Sequence, residues 1–273
     1  MSRRFDDFTA VPRPAITRRR ALAAAAALLI LPGCGATSAR PEHGESPPPH
    51  WDYDAEGPGH WAELDGRYGM CGTGGGQSPI DLGHPTRVAP ADHIDIGYGP
   101  VRALEVVDNG HTIQANVPPD AGQYVVVDGR RFTLAQFHFH APSEHTVEGG
   151  GAAMELHLVH VAEDGALAVL GVLLAVGEQR STFGPVLGEL PPVGGVRAAG
   201  PLDLREVLPG DLAQFRYTGS LTTPPCTEGV AWTVLRHPVP VGRDEVERYL
   251  TRFPHTNRPV QAINGRAVIL GGG

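Results

Sequence analysis

From Trp51 to about Leu270 the apolar positions of this chain fall into short alternating or β-branched runs, each closed by a turn signal. Alternation with period two is the pattern of a half-buried strand, and Asn-Gly or Asp-Gly between two such runs marks a hairpin or a bulge. LEVVDNGHTIQANV (104–117) reads as two strands interrupted at Asn109-Gly110, and YVVVDGRRFTLAQFHFH (124–140) as a hairpin turning at Asp128-Gly129. MELHLVHV and ALAVLGVLLAV read as a further hairpin across Glu163-Asp164-Gly165. Only GRDEVERYL (242–250) has a helical pattern. The expected fold is mostly β with minor α: a large twisted, mainly antiparallel central sheet with short peripheral helices. The chain's 36 Gly and 26 Pro imply many turns, and so short strands rather than long helices. Neither a second linker nor a repeat interrupts the pattern, so 51–273 reads as one domain.

The N-terminus has a different character. Residues 1–33 read as an export signal: a basic patch at Arg18, Arg19 and Arg20, then an apolar run of about eleven residues, then small residues. That run is shorter than the roughly 20 residues a membrane-spanning helix needs. The arginines look like a twin-arginine signal, and Leu31-Pro32-Gly33-Cys34 resembles a lipoprotein cleavage box. Cys34 is then the expected lipidation site and membrane tether; cleavage after Ala39, releasing a soluble protein, is the alternative. Residues 34–50, rich in proline, read as a flexible spacer. These features predict a protein of the periplasm or cell surface.

Charge narrows the partners. All 22 basic residues are arginine; residues 1–33 hold six of them and two acids, so the remainder carries 16 basic against 28 acidic residues, about −12. So acidic a body argues against nucleic acid as a partner. With Cys34 set aside, Cys71 and Cys226 suggest one disulfide in an exported chain, and two separate buried thiols are the alternative. A loop that long is stabilised by roughly 4 to 5 kcal/mol in the chain-entropy model.

Residues 136–161 contain five histidines. Strand side chains alternate faces, so His138 and His140 point the same way from one strand. In MELHLVHV, Glu155, His157 and Val159 share a face, while Leu156, Leu158 and His160 share the other. If the two strands are near neighbours, His138, His140 and His157 converge, which suits a tetrahedral Zn²⁺ whose fourth position stays open. Gln136 and Glu155 can accept the outer N–H of an imidazole and fix its tautomer. His145 and His160 read as hydrogen-bonded structural histidines.

QFHFH, SEHTV, ELHLVH, LAVLGV, YTGSLTTPPCTEGV and NRPVQ together resemble the α-class carbonic anhydrases over nearly all of Trp51 to Val268. CGTGGGQSPID and TTPPCTEGV are similar to the disulfide-bearing segments of the family's bacterial members. The resemblance implies reversible hydration of CO₂ to bicarbonate and a proton, with zinc providing the hydroxide that attacks CO₂. It implies an apolar CO₂ site at Val159, Val169, Leu221, Val230 and Trp232, an orienting pair Thr222 and Glu144, and Thr223 beside the bicarbonate. It implies a proton shuttle at His111, with Tyr53, Asn109 and Gln114 ordering a water chain. Sulfonamides and anions are the expected inhibitors, and the protein is expected to be a monomer or homodimer. Two rival readings stand beside it. One is a catalytically silent, carbonic-anhydrase-like surface binding module. The other is a cupin, in which Glu144 becomes a fourth ligand to Fe²⁺ or Mn²⁺.

Overall fold

The computed structural model describes residues 48–90, 92–178 and 181–272. The export signal, Cys34 and residues 34–47 of the spacer lie outside the described residues. The strands run in chain order as β1 (Arg87–Ala89), β2 (Asp95–Gly97), β3 (Pro100–Val101), β4 (Leu104–Asp108) and β5 (Ile113–Asn116). Then come β6 (Tyr124–Val127), β7 (Arg130–His140), β8 (Met154–Val161), β9 (Leu167–Gly177) and β10 (Val196–Ala199). The last four are β11 (Leu202–Asp203), β12 (Gln214–Ser220), β13 (Glu228–Gly242) and β14 (Ile269–Gly271). Twelve of these form one sheet, in the order β1-β14-β12-β13-β9-β8-β7-β5-β4-β10, with β6 beside β7 and β2 beside β6.

The sheet is mixed. β13 runs parallel to β9, and β1 parallel to β14, within an otherwise antiparallel arrangement. The expected hairpins form: Asp128 (φ 51°) and Gly129 (φ 76°) adopt the left-handed conformations a tight two-residue turn requires. The expectation of short strands fails at β7 and β9, with 11 residues each, and at β13, with 15. These strands cross the centre of the sheet, where burial on both faces rewards length. Helices are short: α1 (Trp61–Leu64), α2 (Met70–Thr73), α3 (Gly184–Leu187) and the one read from sequence, α4 (Arg243–Leu250).

Period two sorts the central strands into two faces. Phe137 and Phe139 of β7 and Leu156 and Leu158 of β8 enter the main apolar core. His138 and His140, and Glu155 and His157, therefore face the other way. A bulge between Leu134 and Gln136 sets the register. Before it Leu134 lies opposite His160; after it His138 lies opposite His157 and His140 opposite Glu155. Were Ala135 paired in line, the register of Leu134 and His160 would carry His138 opposite Leu156, a core residue, so the bulge at Ala135 is what brings the two polar faces together.

Cys71 of α2 and Cys226, 155 residues apart, form the expected disulfide. It belongs to a small buried cluster with Trp61 and Tyr68, separate from the main core. Replacing both cysteines with alanine should lower the free energy of unfolding by roughly 4 to 5 kcal/mol. Urea titration of the two proteins checks this, and equal midpoints would contradict the loop-closure account.

Candidate metal centre and active site

The paired faces of β7 and β8 bring three imidazoles together. Ring centroids are 5.0 Å apart for His138 and His140, 5.4 Å for His138 and His157, and 4.5 Å for His140 and His157. One nitrogen from each ring lies within 4.8 Å of the others. Every ring is held by its second nitrogen. His138 Nδ1 pairs with Gln136 Oε1 at 2.9 Å, His140 Nδ1 with the carbonyl of Thr256, and His157 Nε2 with Glu155 Oε1 at 3.0 Å. Those bonds leave Nε2, Nε2 and Nδ1 for the shared space. His140 Nε2 is fully buried and has no hydrogen-bond partner among the described residues. Burial, reinforced by neighbouring imidazoles, pushes His138 well below its ordinary pKa; burial also lowers His157, and takes His140 down to about 4. The rings are thus neutral at pH 7, as metal ligands must be.

Glu155 organises this group. Its carboxylate is wholly buried and accepts four hydrogen bonds. Oε2 takes the backbone N–H of Glu144 (2.9 Å) and His145 (2.8 Å), and Oε1 takes the rings of His145 (2.7 Å) and His157. Burial alone would raise its pKa, but His145 and His157 outweigh that and hold it well below the usual carboxylate range. A Cβ on Gly171, opposite His157 across β9, would meet Glu155 Oε1 at 3.0 Å, so a glycine leaves the carboxylate its room. His145 also reaches the Tyr217 hydroxyl at 2.6 Å, and His160 is fixed by the Tyr98 hydroxyl and the Ala168 carbonyl. Both are buried and hydrogen-bonded, as expected.

Glu144 is buried beside the histidines. Oε1 accepts the backbone N–H of Arg258 at 2.8 Å, while Oε2 makes no hydrogen bond among the described residues and lies 3.9 Å from His157 Nδ1. Burial pushes its carboxyl up to about 7 against the opposing pull of His157, the Arg258 N–H and the Thr222 hydroxyl. Thr222 is therefore close, but the expected Thr222–Glu144 hydrogen bond lacks bonding geometry: the only filled acceptor is the one facing Arg258.

Tyr53, Asn109, His111, Gln114, Gln136 and Thr223 line a cavity of about 130 Å³ that ends on His138 and His140. Asn109 Nδ2 donates to Gln114 Oε1 at 3.3 Å, and Asn109 Oδ1 accepts the N–H of His111. The His111 ring lies flat on Trp51, with centroids 3.7 Å apart and planes 5° from parallel, and a second ring, His50, lies 5.8 Å away. Burial and His50 lower the His111 pKa, and Asp52 opposes them. The five expected wall residues gather in one apolar cluster, in which Val169, Val230 and Trp232 are buried and Val159 and Leu221 half-buried. Trp232 also packs edge-on against His157, with centroids 4.9 Å apart.

Three contributors have no counterpart in the sequence reading: the Thr256 carbonyl, the Arg258 N–H and the Trp51 ring. The first two act through main chain, which every residue carries, so composition gives no sign of them. Only NRPVQ, recognised as a motif but given no role, marked their place.

The model of the eukaryotic-type carbonic anhydrase family matches residues 56–271. A carbonic anhydrase of Klebsiella pneumoniae is 41% identical over 228 residues, covering 81% of this chain and 90% of that protein. One of Neisseria gonorrhoeae is 38% identical over 253 residues, covering 92% and 98%. Among solved structures, the α-carbonic anhydrase of Thermovibrio ammonificans, in complex with the inhibitor sulfanilamide, is similar at a TM-score of 0.76 and 42% identity, covering 81% of this chain and 98% of that one. These matches set the cupin reading aside: the chain belongs to the eukaryotic-type, or α-class, carbonic anhydrase family.

Proposed function

We propose that this chain catalyses CO₂ + H₂O ⇌ HCO₃⁻ + H⁺ with one zinc ion held by His138, His140 and His157. The observation that carries the metal assignment is His140 Nε2, a buried acceptor without a partner, converging with two further imidazole nitrogens whose opposite sides are already fixed. A buried polar atom left unpaired is costly, and a cation removes that cost. Three neutral nitrogens suit zinc better than magnesium or calcium, which prefer oxygen. Zinc held there supplies a Lewis acid that acidifies water to near neutrality, chemistry for which carbonic anhydrase is itself the reference example.

The chain's own residues perform the remaining work. Val159, Val169, Leu221, Val230 and Trp232 offer CO₂, which has no proton to donate, an apolar surface beside the histidines. With a small adjustment of geometry, the Thr222 hydroxyl donates a hydrogen bond to Glu144 Oε2, the carboxylate oxygen that accepts none among the described residues. Its own oxygen can then only accept from the attacking water, which fixes the direction of attack. Thr223 lies where bicarbonate leaves. His111 takes the released proton outward along the water chain that Tyr53, Asn109 and Gln114 order. Its lowered pKa favours prompt release. The silent-module reading loses its support, since such a role gives no reason to retain three ligands, Glu144, Thr222 and His111 together. Sulfonamide inhibition is expected by analogy with the sulfanilamide-bound relative. The disulfide and the basic, apolar N-terminus support a site of action outside the cytoplasm, by a lipid tether at Cys34 or as a released protein.

Stopped-flow CO₂ hydration should fall to the uncatalysed rate when zinc is chelated and return when zinc is restored; hydration that survives chelation would refute the metal assignment. His111→Ala should slow turnover in weak buffer and regain most of it with added imidazole. Equal rates in weak and strong buffer would remove His111 from the proton path.

The metal-free protein should lose stability as pH falls from about 6.5 to 4. His138, His140, His157 and His160 have folded pKa values below 6.5, so the unfolded chain binds the extra protons in that window. Glu144, raised to about 7, acts in the opposite sense, but it is one proton against four. Each uncompensated proton removes about 1.4 kcal/mol per pH unit. Urea midpoints of the chelated protein at pH 7.5 and 5.0 check this, and a higher midpoint at pH 5.0 would contradict it.

A further inference from the structure

Arg258 is 1% exposed, and no carboxylate among the described residues forms an ion pair with its guanidinium. Glu144 attracts it only through space, and a buried cation that no carboxylate touches is destabilising unless its donors do something an apolar side chain cannot. All its bonds go to neutral acceptors on distant segments. Nη1 donates to Gln77 Oε1 and to the Ser78 carbonyl, both at 2.8 Å, and Nη2 to the Cys71 carbonyl at 2.7 Å. The guanidinium also lies 5.8 Å from the Trp61 ring centroid. Gln77 in turn donates to the Cys226 carbonyl at 3.1 Å, so the fork grips both halves of the disulfide region.

The backbone carrying this side chain serves the site twice within three residues. The Thr256 carbonyl accepts from His140 Nδ1, and the Arg258 N–H donates to Glu144 Oε1. Thr256 adds two anchors to Ala141, from its N–H to the Ala141 carbonyl and from the Ala141 N–H to its hydroxyl. Main-chain groups cannot turn toward their partners as a side chain can, so both site contacts are only as accurate as the position of this segment.

We propose that Arg258 is a positioning residue for the reaction: by mooring segment 256–258 to the Cys71–Cys226 region, its guanidinium sets the orientation of His140 and the placement of Glu144. This rests on the carbonic anhydrase reading given above. Planar, five-donor geometry is essential to the mooring, because the acceptors lie on two segments that a single ammonium cannot span equally. The disulfide thereby reaches the site by two routes, through Arg258 to Glu144 and through the Cys226 N–H to the Thr223 carbonyl.

The test compares wild-type, Arg258→Gln, Arg258→Lys and, as a control, Arg216→Gln. Arg216 is also a buried arginine, but its guanidinium pairs with Asp92 and Asp128. Three quantities are measured: zinc affinity of the metal-free protein by chelator competition, kcat/KM for CO₂ per bound zinc, and the thermal midpoint. Arg258→Gln should lose about 10- to 100-fold in zinc affinity and kcat/KM, the usual effect of removing support behind a metal ligand. Arg216→Gln should lower the midpoint while leaving both within about twofold of wild-type. Should Arg258→Gln not fold, Arg258→Lys carries the test: it keeps the charge, loses the fork, and should shift both quantities in the same direction by a smaller factor. Arg258 variants that lose only thermal midpoint, or an Arg216→Gln loss of the same size at equal midpoint, would overturn the proposal. A wild-type protein without CO₂ hydration would instead overturn the functional reading, and the zinc affinities would still judge Arg258.

Discussion

A single carboxylate sealed inside the sheet, that of Glu155, fixes the geometry around which the rest is built. With no water to solvate it, its charge is tolerable only because four donors converge on it. Each of those bonds places something else. One holds the His157 ring so that Nδ1 faces the His138 and His140 rings, one locks His145 against Tyr217, and two pin the backbone where Glu144 begins. Breaking the set would leave an uncompensated buried charge, so the arrangement is held as a unit rather than bond by bond. The bare Cα of Gly171 is the space that unit requires on the neighbouring strand.

Strands and loops divide the labour. β7 and β8, largely buried on both faces where they pair around the histidines, supply the three imidazoles at fixed separations that no loop could guarantee. Loops supply what must reach in from outside the sheet plane: the Thr256 carbonyl, the Arg258 N–H, Thr222 and Thr223, and the His111 ring on Trp51. Those loops are themselves tied down. The disulfide closes one, and the guanidinium of Arg258 ties the segment 256–258 to the same region. The cavity beside His111 is the exception, closed in part by Trp51 and Tyr53 near the described N-terminal end of the domain. There a flat aromatic stack, rather than hydrogen bonds to the ring, fixes His111.

What could be read from the sequence follows from which interactions are local. Alternation put His138 and His140 on one face and His157 on a face of its own strand, and it separated His160 correctly, because side-chain direction in a strand needs no tertiary information. Whether the two faces met depended on the pairing register, and the bulge between Leu134 and Gln136 that decides it carries no sequence signal of its own. Gln136 and Glu155 were legible as partners of His138 and His157 because each lies two residues away on the same face. His140's partner, the Thr256 carbonyl, is 116 residues distant and was not legible. Thr222, Glu144 and His111 came from resemblance alone. The expected strand lengths were too short because glycine and proline content reports on turns throughout the chain, while β7, β9 and β13 run through its most apolar centre.

The proposed reaction requires three imidazole nitrogens and one open position around a single zinc ion. X-ray absorption at the zinc edge, on protein loaded with one equivalent, tests that directly. It predicts three nitrogen scatterers with imidazole character at about 2.0–2.1 Å and one exchangeable oxygen, lost as a set when His138, His140 or His157 is replaced. A fourth protein ligand from Glu144, or zinc shared among His145, Glu155 and His157 instead, would contradict it.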